Sequence, residues 1–302
     1  MRKLSILLTI IILSCQTERK TECNYIKDYY QTVYKADWEF ETGNFQKAFD
    51  LYNEAFKSCK AVNTPTYNEI GKYTETSAIL KKFDITYDFA KKQILNGVEL
   101  SIIVNNENYN EFLDSEFGEK LITDYKELRE EFKKNAHFIL RDELIAMRTA
   151  DQLYRNENYQ ENIAKQDSID KIHEKRLIEI FETIGYPNDK IVGPHTRDYP
   201  VDVGLLLLHT DDSIRMNYFV PKLKEFVQKG TASPWTLGTV IDQFHLYNGD
   251  PQINGTYGAQ GGGYAEMISD LKQVDSNRIS IGLPPLELKE KKDSLRKIKY
   301  GF

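Results

Sequence analysis

The residue types best suited to acid–base chemistry lie in the second half of the chain. His209 follows an apolar run, and Asp242 stands three residues before His245. A carboxylate beside an imidazole orients the ring and raises its basicity, as general-base catalysis requires. The same pairs also occur by chance on helix surfaces. The candidate catalytic residues are therefore His209, oriented by Asp151 or Asp242, and His245.

Asp151 is a candidate because an apolar helical stripe leads directly to it. Leu140, Leu144 and Met147 precede it at helical spacing, so its carboxylate falls on the buried face. An unpaired buried charge is costly, and Arg155, one turn later, is the nearest candidate partner. The pattern predicts either a structural ion pair or half of an acid–base site.

A Gly-rich stretch from Asn248 to Gly263 interrupts the helical pattern. Its glycines favour turns, as a short hairpin or an ordered loop, in which backbone N–H groups can approach a phosphate or a carboxylate. The fingerprints of nucleotide loops, serine nucleophile elbows, zinc proteases and kinases are missing from the sequence. We therefore predict no cofactor and no metal site.

Four helices should position these groups in the second half of the chain. The first runs from about Ser168 to Ile184, the second from about Val201 to Leu208, and the third from Asp211 to Gly230. The fourth follows Ser233, with Asp242 and His245 together on the flank of its apolar stripe. The sequence predicts that this stripe is buried and comprises Leu237, Val240, Ile241 and Phe244.

The first half of the chain predicts paired helices. Gly43 opens a turn between two helical patterns, and the small residues Ala36, Ala48 and Ala55 fall where two helices would pack closely. This spacing resembles a tetratricopeptide repeat. A second unit is expected from Glu69 to Gly97, and short closing helices from Asn108 to Leu128. The resemblance implies either a surface that binds a protein partner or a spacer.

The chain begins like an exported protein. Arg2 and Lys3 precede an apolar run from Leu4 to Leu13, which is typical of a secretory signal. At about ten residues, the run is half of the roughly twenty that a membrane-spanning helix requires. The pattern therefore predicts a signal peptide over residues 1–14.

The four residues Ile12-Leu13-Ser14-Cys15 resemble the lipobox of bacterial lipoproteins. In that family the signal is cut before the cysteine, whose thiol and new amino terminus are acylated. The resemblance implies that Cys15 carries lipid and anchors the chain stably in a bilayer. The alternative is an ordinary secretory signal with a chance cysteine. By resemblance to enterobacterial sorting, Gln16 favours the outer membrane.

The net charge and the cysteine content indicate which partners and which cellular compartment to expect. The net charge is −6, and basic residues alternate with acidic ones, so nucleic acid is not an expected partner. Besides Cys15 there are only Cys23 and Cys59. In an exported chain this even pair can form a disulfide, and the alternative is two separate thiols.

Several short motifs of the second half occur in an order that resembles one uncharacterised bacterial domain family of unknown function. They are Asp151-Gln152 with Arg155, Gly185-Tyr186-Pro187 with Gly193, Leu208-His209, Asp242-Gln243, Tyr257-Gly258-Ala259-Gln260, and Val274-Asp275 with Arg278, Gly282 and Leu283. The similarity covers about Asn135 to Leu288. Gln243 and Ala259 replace the arginine and threonine that the family often has. The family offers no established activity.

These patterns predict a mainly α fold in four parts: the signal (1–14), a lipidated tether (15–23), a tetratricopeptide-like region (24–134) and a helical domain (135–302). The leading hypothesis is an envelope lipoprotein that binds a protein or a ligand. The alternative is a hydrolase or transferase using His209, with Arg155 binding an anionic group. The expected ligand-binding residues are Gln152, Arg155, Gln243, Tyr257 and Gln260.

Overall fold

The computed structural model describes residues 23–156, 158–260 and 262–301, and this part of the chain is mainly α-helical, as predicted. The signal peptide and Cys15 lie outside the described residues. No helix within the described ranges is long and apolar enough to cross a membrane.

The first half forms helices in the predicted places. Their bounds are α1 Tyr25–Asp28, α2 Tyr30–Glu41, α3 Phe45–Ser58, α4 Glu69–Ile79, α5 Phe83–Leu95, α6 Ser101–Val104, α7 Asn110–Leu113 and α8 Glu116–Asn135, with one 3-10 turn at Glu107–Tyr109.

Helices α2 and α3 form the predicted hairpin. Gly43 lies in the turn with φ of 81°, a backbone conformation that is strained for residues with a side chain but not for glycine. Ala36 and Ala48 are fully buried, because the two helices approach too closely for larger residues. The expectation of short closing helices is wrong in one respect, since α8 has 20 residues. Ser115 caps its start, and Leu121, Leu128 and other apolar residues give it a continuous buried face.

The second half is also helical, with an irregular Gly-rich segment between its last three helices. The bounds are α9 Phe138–Asp151, α10 Tyr159–Thr183, α11 Asp189–Val192, α12 Val203–Leu207, α13 Asp212–Ile214, a π-helical stretch Arg215–Phe219, α14 Val220–Gln228, α15 Pro234–Tyr247, α16 Leu271–Ser280 and α17 Leu286–Tyr300.

Three boundaries differ from the sequence predictions. The helix expected from Ser168 begins at Tyr159, because polar residues continue its buried face. The helix expected over 201–208 has only five residues, since the Asp202 side chain caps it at Val203. A π-helical stretch interrupts the helix that follows Asp211.

The Gly-rich segment is an ordered loop and not a hairpin. Within the described ranges it forms no strand. Only two isolated bridges are present, one between Gln252 and Met267 and one between Gly258 and Tyr264. Glycines at positive φ, such as Gly255, let the chain turn without forming a ladder.

Two apolar cores hold the helices together. The larger core combines α1 to α3 and Tyr73 with helices of the second half, including Leu144, Leu177 and Leu237. The smaller core lies between α5 and α8 and contains Ile94 and Leu121.

Side chains of α2 reach directly into the second half. The Tyr34 hydroxyl donates a hydrogen bond to the Gly282 carbonyl over 2.6 Å, and the Gln31 amide donates to the Leu283 carbonyl over 2.9 Å. A Cβ atom at Gly282 would lie 2.9 Å from the Tyr30 ring. The first hairpin is therefore packed tightly against the chain segment before α17.

Candidate functional site

Asp151 and His209 meet where α9 ends and α12 has just ended. Asp151 is the last residue of α9 and is 1% exposed, whereas the His209 side chain keeps 20% of its surface exposed. The Nδ1 atom of His209 lies 2.8 Å from Oδ1 and 3.0 Å from Oδ2 of Asp151. A carboxylate on Nδ1 fixes the tautomer, which leaves Nε2 as the ring atom available for proton transfer.

The Asp151 carboxylate is held in its charged form. Burial raises its pKa, but His209, Gln152 and Arg155 together outweigh burial, through hydrogen bonds and positive charge, and hold that pKa below its usual range. The Gln152 amide adds a hydrogen bond to Oδ2 over 2.6 Å, and Arg155 adds positive charge. Asp151 can therefore stabilise a protonated His209.

Arg155 contacts Asp151, but its main partner is Asp170 on α10. Its Nη1 atom donates to the Asp151 backbone carbonyl over 2.5 Å and lies 3.4 Å from Oδ1. Its two Nη atoms lie 3.2 and 2.6 Å from the two carboxylate oxygens of Asp170. This bidentate pairing occupies the guanidinium group that was expected to bind an anion.

Sequence reasoning missed the polar residues that α10 contributes here. Gln166 donates to Asp170 over 2.9 Å, and the buried His173 has an Nδ1 atom without a partner among the described residues. Desolvation lowers the pKa of His173. These three residues precede Leu177 at helical spacing, so extending the apolar stripe backwards along α10 would have found them.

Asp242 supports the Gly-rich loop and does not orient a histidine. It is fully buried, not on the flank of its helix as predicted, because its carboxylate accepts five hydrogen bonds from the loop. The donors are the backbone N–H groups of Ile253, Asn254 and Thr256, the Asn254 amide and the Thr256 hydroxyl, at 2.8–3.0 Å. No hydrogen bond joins Asp242 to either histidine candidate in the described ranges.

Gln243 is connected to the His209 region through Arg215. The Gln243 side-chain oxygen accepts a hydrogen bond from Nη1 of Arg215, and the same Nη1 donates to the Leu208 carbonyl over 2.8 Å. Arg215 also forms an ion pair with Asp212. A polar connection therefore runs from α15 to the residue before His209.

The remaining predicted site residues lie elsewhere. Tyr257 is half-buried, and burial raises its pKa to about 12. Gln260 is exposed on the Gly-rich loop, and the ring of His245 packs edge-on against Phe244. Of the predicted set, the structure brings together Asp151, Gln152, Arg155 and His209.

A separate cavity of about 290 Å³ lies where the two halves of the chain meet. Its lining comes from some of the residues within the segments 63–66, 186–195, 201–204 and 230–236, and neither His209 nor Asp151 contributes to it. Tyr186 and Trp235 supply aromatic surface. No periodic pattern in the sequence indicated this site, since most of its lining belongs to turns and helix ends.

The charged groups of the cavity are acidic or imidazole. Burial raises the pKa of Asp189 to about 6, although the charge of His195 opposes this. Nδ1 of His195 lies 2.7 Å from the Val201 carbonyl, so it carries the hydrogen and Nε2 is left as an acceptor. Asp202 uses Oδ1 to cap α12 at the Leu205 N–H.

Cys23 and Cys59 form a disulfide, with their Cα atoms 5.5 Å apart. It joins the chain just before α1 to the end of α3. Among the described residues, the only group of three or more His, Cys, Asp or Glu residues with ligand atoms within 4.8 Å of one another consists of these two cysteines and Asp28. Disulfide formation occupies both sulfur atoms of that cluster.

No known protein family matches the sequence, and no match to it was found among curated proteins or solved structures.

Proposed function

We propose that the chain is an envelope lipoprotein, anchored in a bacterial membrane by lipid on Cys15, whose helical body binds a ligand or a protein partner. The outer membrane is the favoured location. The tetratricopeptide-like first half would dock a protein, and the body would act without a cofactor.

The observation that carries the anchoring proposal is the disulfide between Cys23 and Cys59. Structural disulfides persist outside the reducing cytosol. This one begins a few residues after Cys15, the predicted first residue of the mature chain. It agrees with export.

Binding is favoured over catalysis by the positions of the polar groups. A cavity of about 290 Å³ lies at Asp189 and His195, away from the Asp151–His209 pair. Around that pair the guanidinium of Arg155 is already occupied by Asp170. A preformed cavity near 300 Å³ is at the small end of the range for small-molecule sites.

Labelled-palmitate incorporation tests the anchor. Cells expressing the whole chain and the Cys15→Ala variant are labelled, and membrane and soluble fractions are then compared. We expect label and membrane association in the wild type and neither in Cys15→Ala. The matched control is the Cys23→Ala/Cys59→Ala double variant, which should still be labelled. Label that survives Cys15→Ala would refute the proposal.

The second candidate function is a hydrolase or transferase, and the 2.8 Å contact between His209 and Asp151 favours it. In this alternative His209 acts through Nε2 as general base, and Asp151 stabilises the imidazolium that forms. Asp242 has no part in it, because the loop donors occupy its carboxylate.

A panel of activated esters and phosphates tests this alternative. If His209 is a base, His209→Gln should reduce turnover of at least one substrate by on the order of 100-fold or more. The control is His245→Gln, which should retain full turnover. Equal rates for wild type and His209→Gln across the panel would exclude a hydrolase acting through His209 on those substrates.

A further inference from the structure

The cavity lined by Asp189, His195, Asp202 and Trp235 carries an inference about its ligand, which rests on the proposed binding function. We propose that this cavity binds the primary ammonium group of a small organic amine. The charge of the lining, its hydrogen-bond acceptors and its aromatic surface all suit such a group.

The lining is acidic and contains no lysine or arginine side chain among its residues. Asp189 is partly buried, and its carboxylate accepts no hydrogen bond from the described residues. A partly desolvated anion without a hydrogen-bond donor is unfavourable, and a bound cation would relieve that cost. A carboxylate or phosphate ligand would instead add repulsion.

The acceptors suit an –NH₃⁺ group. Such a group carries three donors and no acceptor. Asp189 offers a free carboxylate, His195 offers Nε2 because Nδ1 is directed to Val201, and Asp202 retains Oδ2 after Oδ1 has capped α12. These three groups come from segments that only the folded chain brings together.

The aromatic lining suits a cation with a short apolar chain. Trp235 and Tyr186 both line the cavity, and an indole ring attracts a cation placed over it. A volume of about 290 Å³ limits the ligand to a few carbon atoms beyond the ammonium. The ligand atoms of Asp189, His195 and Asp202 do not all lie within 4.8 Å of one another, so a bare metal ion is not favoured, and Asp189 is the acceptor that the ammonium contacts directly.

Trp235 provides the readout for the test. The chain has two tryptophans, so a Trp38→Phe background leaves Trp235 as the sole indole fluorophore. Butylammonium is titrated at pH 7.5, with butanol and butyrate as neutral and anionic analogues of similar size. We expect a saturable fluorescence change with butylammonium, with a Kd on the order of millimolar, and none with the two analogues.

Two variants test the acceptors. Asp189→Asn should weaken butylammonium binding at least ten-fold, and Asp202→Asn should weaken it while retaining the helix cap, since asparagine caps as well as aspartate. The matched control is Asp198→Asn, which removes an exposed carboxylate of the neighbouring loop and should leave Kd unchanged. Circular dichroism of each variant confirms that the fold is intact.

Acid should weaken the binding. As pH falls from 7.5 to 5, Asp189 gains a proton and loses its charge, because its pKa is about 6. The other ionisable groups near it are His195, Asp202 and Tyr186, with Arg141 behind Gly193 outside the lining. We expect Kd to rise several-fold over this range.

Each outcome has a separate meaning. Binding of butanol or butyrate as strong as that of butylammonium would overturn the ammonium assignment but keep the cavity as a ligand site. No response to any of the three, or equal binding by Asp189→Asn, would also overturn it. Palmitate labelling of Cys15 is read independently, so the anchor can stand or fall by itself.

Discussion

At the scale of one residue, Glu69 shows how burial changes the protonation of a carboxyl group. It is fully buried at the start of α4, where its carboxyl oxygens accept hydrogen bonds from the Thr64 backbone N–H over 2.6 Å and the Thr64 hydroxyl over 3.0 Å. Burial raises the pKa of Glu69 to about 7, and the hydrogen bonds from Thr64 offset this only in part. The folded protein therefore holds a proton here that the unfolded chain releases near pH 4.5.

The raised pKa makes stability depend on pH in a definite direction. The contribution of Glu69 to the free energy of unfolding is fully present below about pH 4.5 and is lost as the pH rises to about 7. Across this range the free energy of unfolding falls by about 3 kcal/mol. Glu69→Gln keeps the size and both hydrogen-bond partners but cannot ionise. We expect the difference in free energy of unfolding between Glu69→Gln and wild type, measured by urea unfolding, to favour the variant more at pH 8 than at pH 5.

The control for Glu69→Gln is Glu54→Gln, which removes an exposed carboxylate from α3. It should change the free energy of unfolding equally at both pH values. If Glu69→Gln also changes stability equally at pH 5 and pH 8, Glu69 does not hold a proton in the folded state.

At the scale of the element, buried polar groups define the Gly-rich loop. The Asp242 carboxylate binds its first turn, and the fully buried Arg278 donates to the Asn254 carbonyl over 2.5 Å and to the Pro284 carbonyl over 2.6 Å. Gln252 donates to the carbonyls of Tyr257 and Ala265 at 2.9 and 3.0 Å. These bonds replace the ladder that a hairpin would have supplied.

Removing the charge of Asp242 should loosen this loop. Asp242→Asn places an amide NH₂ among N–H and O–H donors, so buried donors lose their acceptor, at an expected cost of about 3 kcal/mol. Urea unfolding measures the loss, and hydrogen exchange at the Ile253, Asn254 and Thr256 amides shows its location. Asp250→Asn, an exposed change in the same loop, is the control. Equal stability of the two variants would contradict the role of Asp242.

Helix pairs were predictable from the sequence because their signals are local. The Gly43 turn, the Ser233 cap of α15 and the glycine after α14 each act through neighbouring residues. The partner of Asp242 was not predictable, because its donors lie 11 to 14 residues away in a segment without periodicity. The cavity was missed for the same reason, since Asp189 and Trp235 become neighbours only when distant segments pack.

The whole molecule is joined by its larger core across the sequence boundary expected at residue 134. Helix α2 is buried against the second half, and the C-terminal helix α17 returns to it through Lys292, whose Nζ lies 2.8 Å from Oδ2 of Asp37. Both partners of this ion pair are buried, and Asp37 also binds Lys72. Because breaking one partner of a buried pair leaves an uncompensated charge, α2 and α17 depend on each other.

This packing predicts that α2 and α15 unfold together. Trp38 lies on α2 and Trp235 on α15, so the single-tryptophan variants Trp235→Phe and Trp38→Phe report on the two halves separately. Circular dichroism gives the overall stability of each variant. Once the fluorescence transitions in urea are corrected for it, the two should have the same midpoint.

Tyr34→Phe, which removes the hydrogen bond to Gly282, should lower the free energy of unfolding by about 1 kcal/mol and should therefore lower both midpoints. The exposed change Tyr247→Phe should lower neither. A Tyr34→Phe effect seen by Trp38 alone would mean that residues 24–134 and 135–302 fold as independent domains.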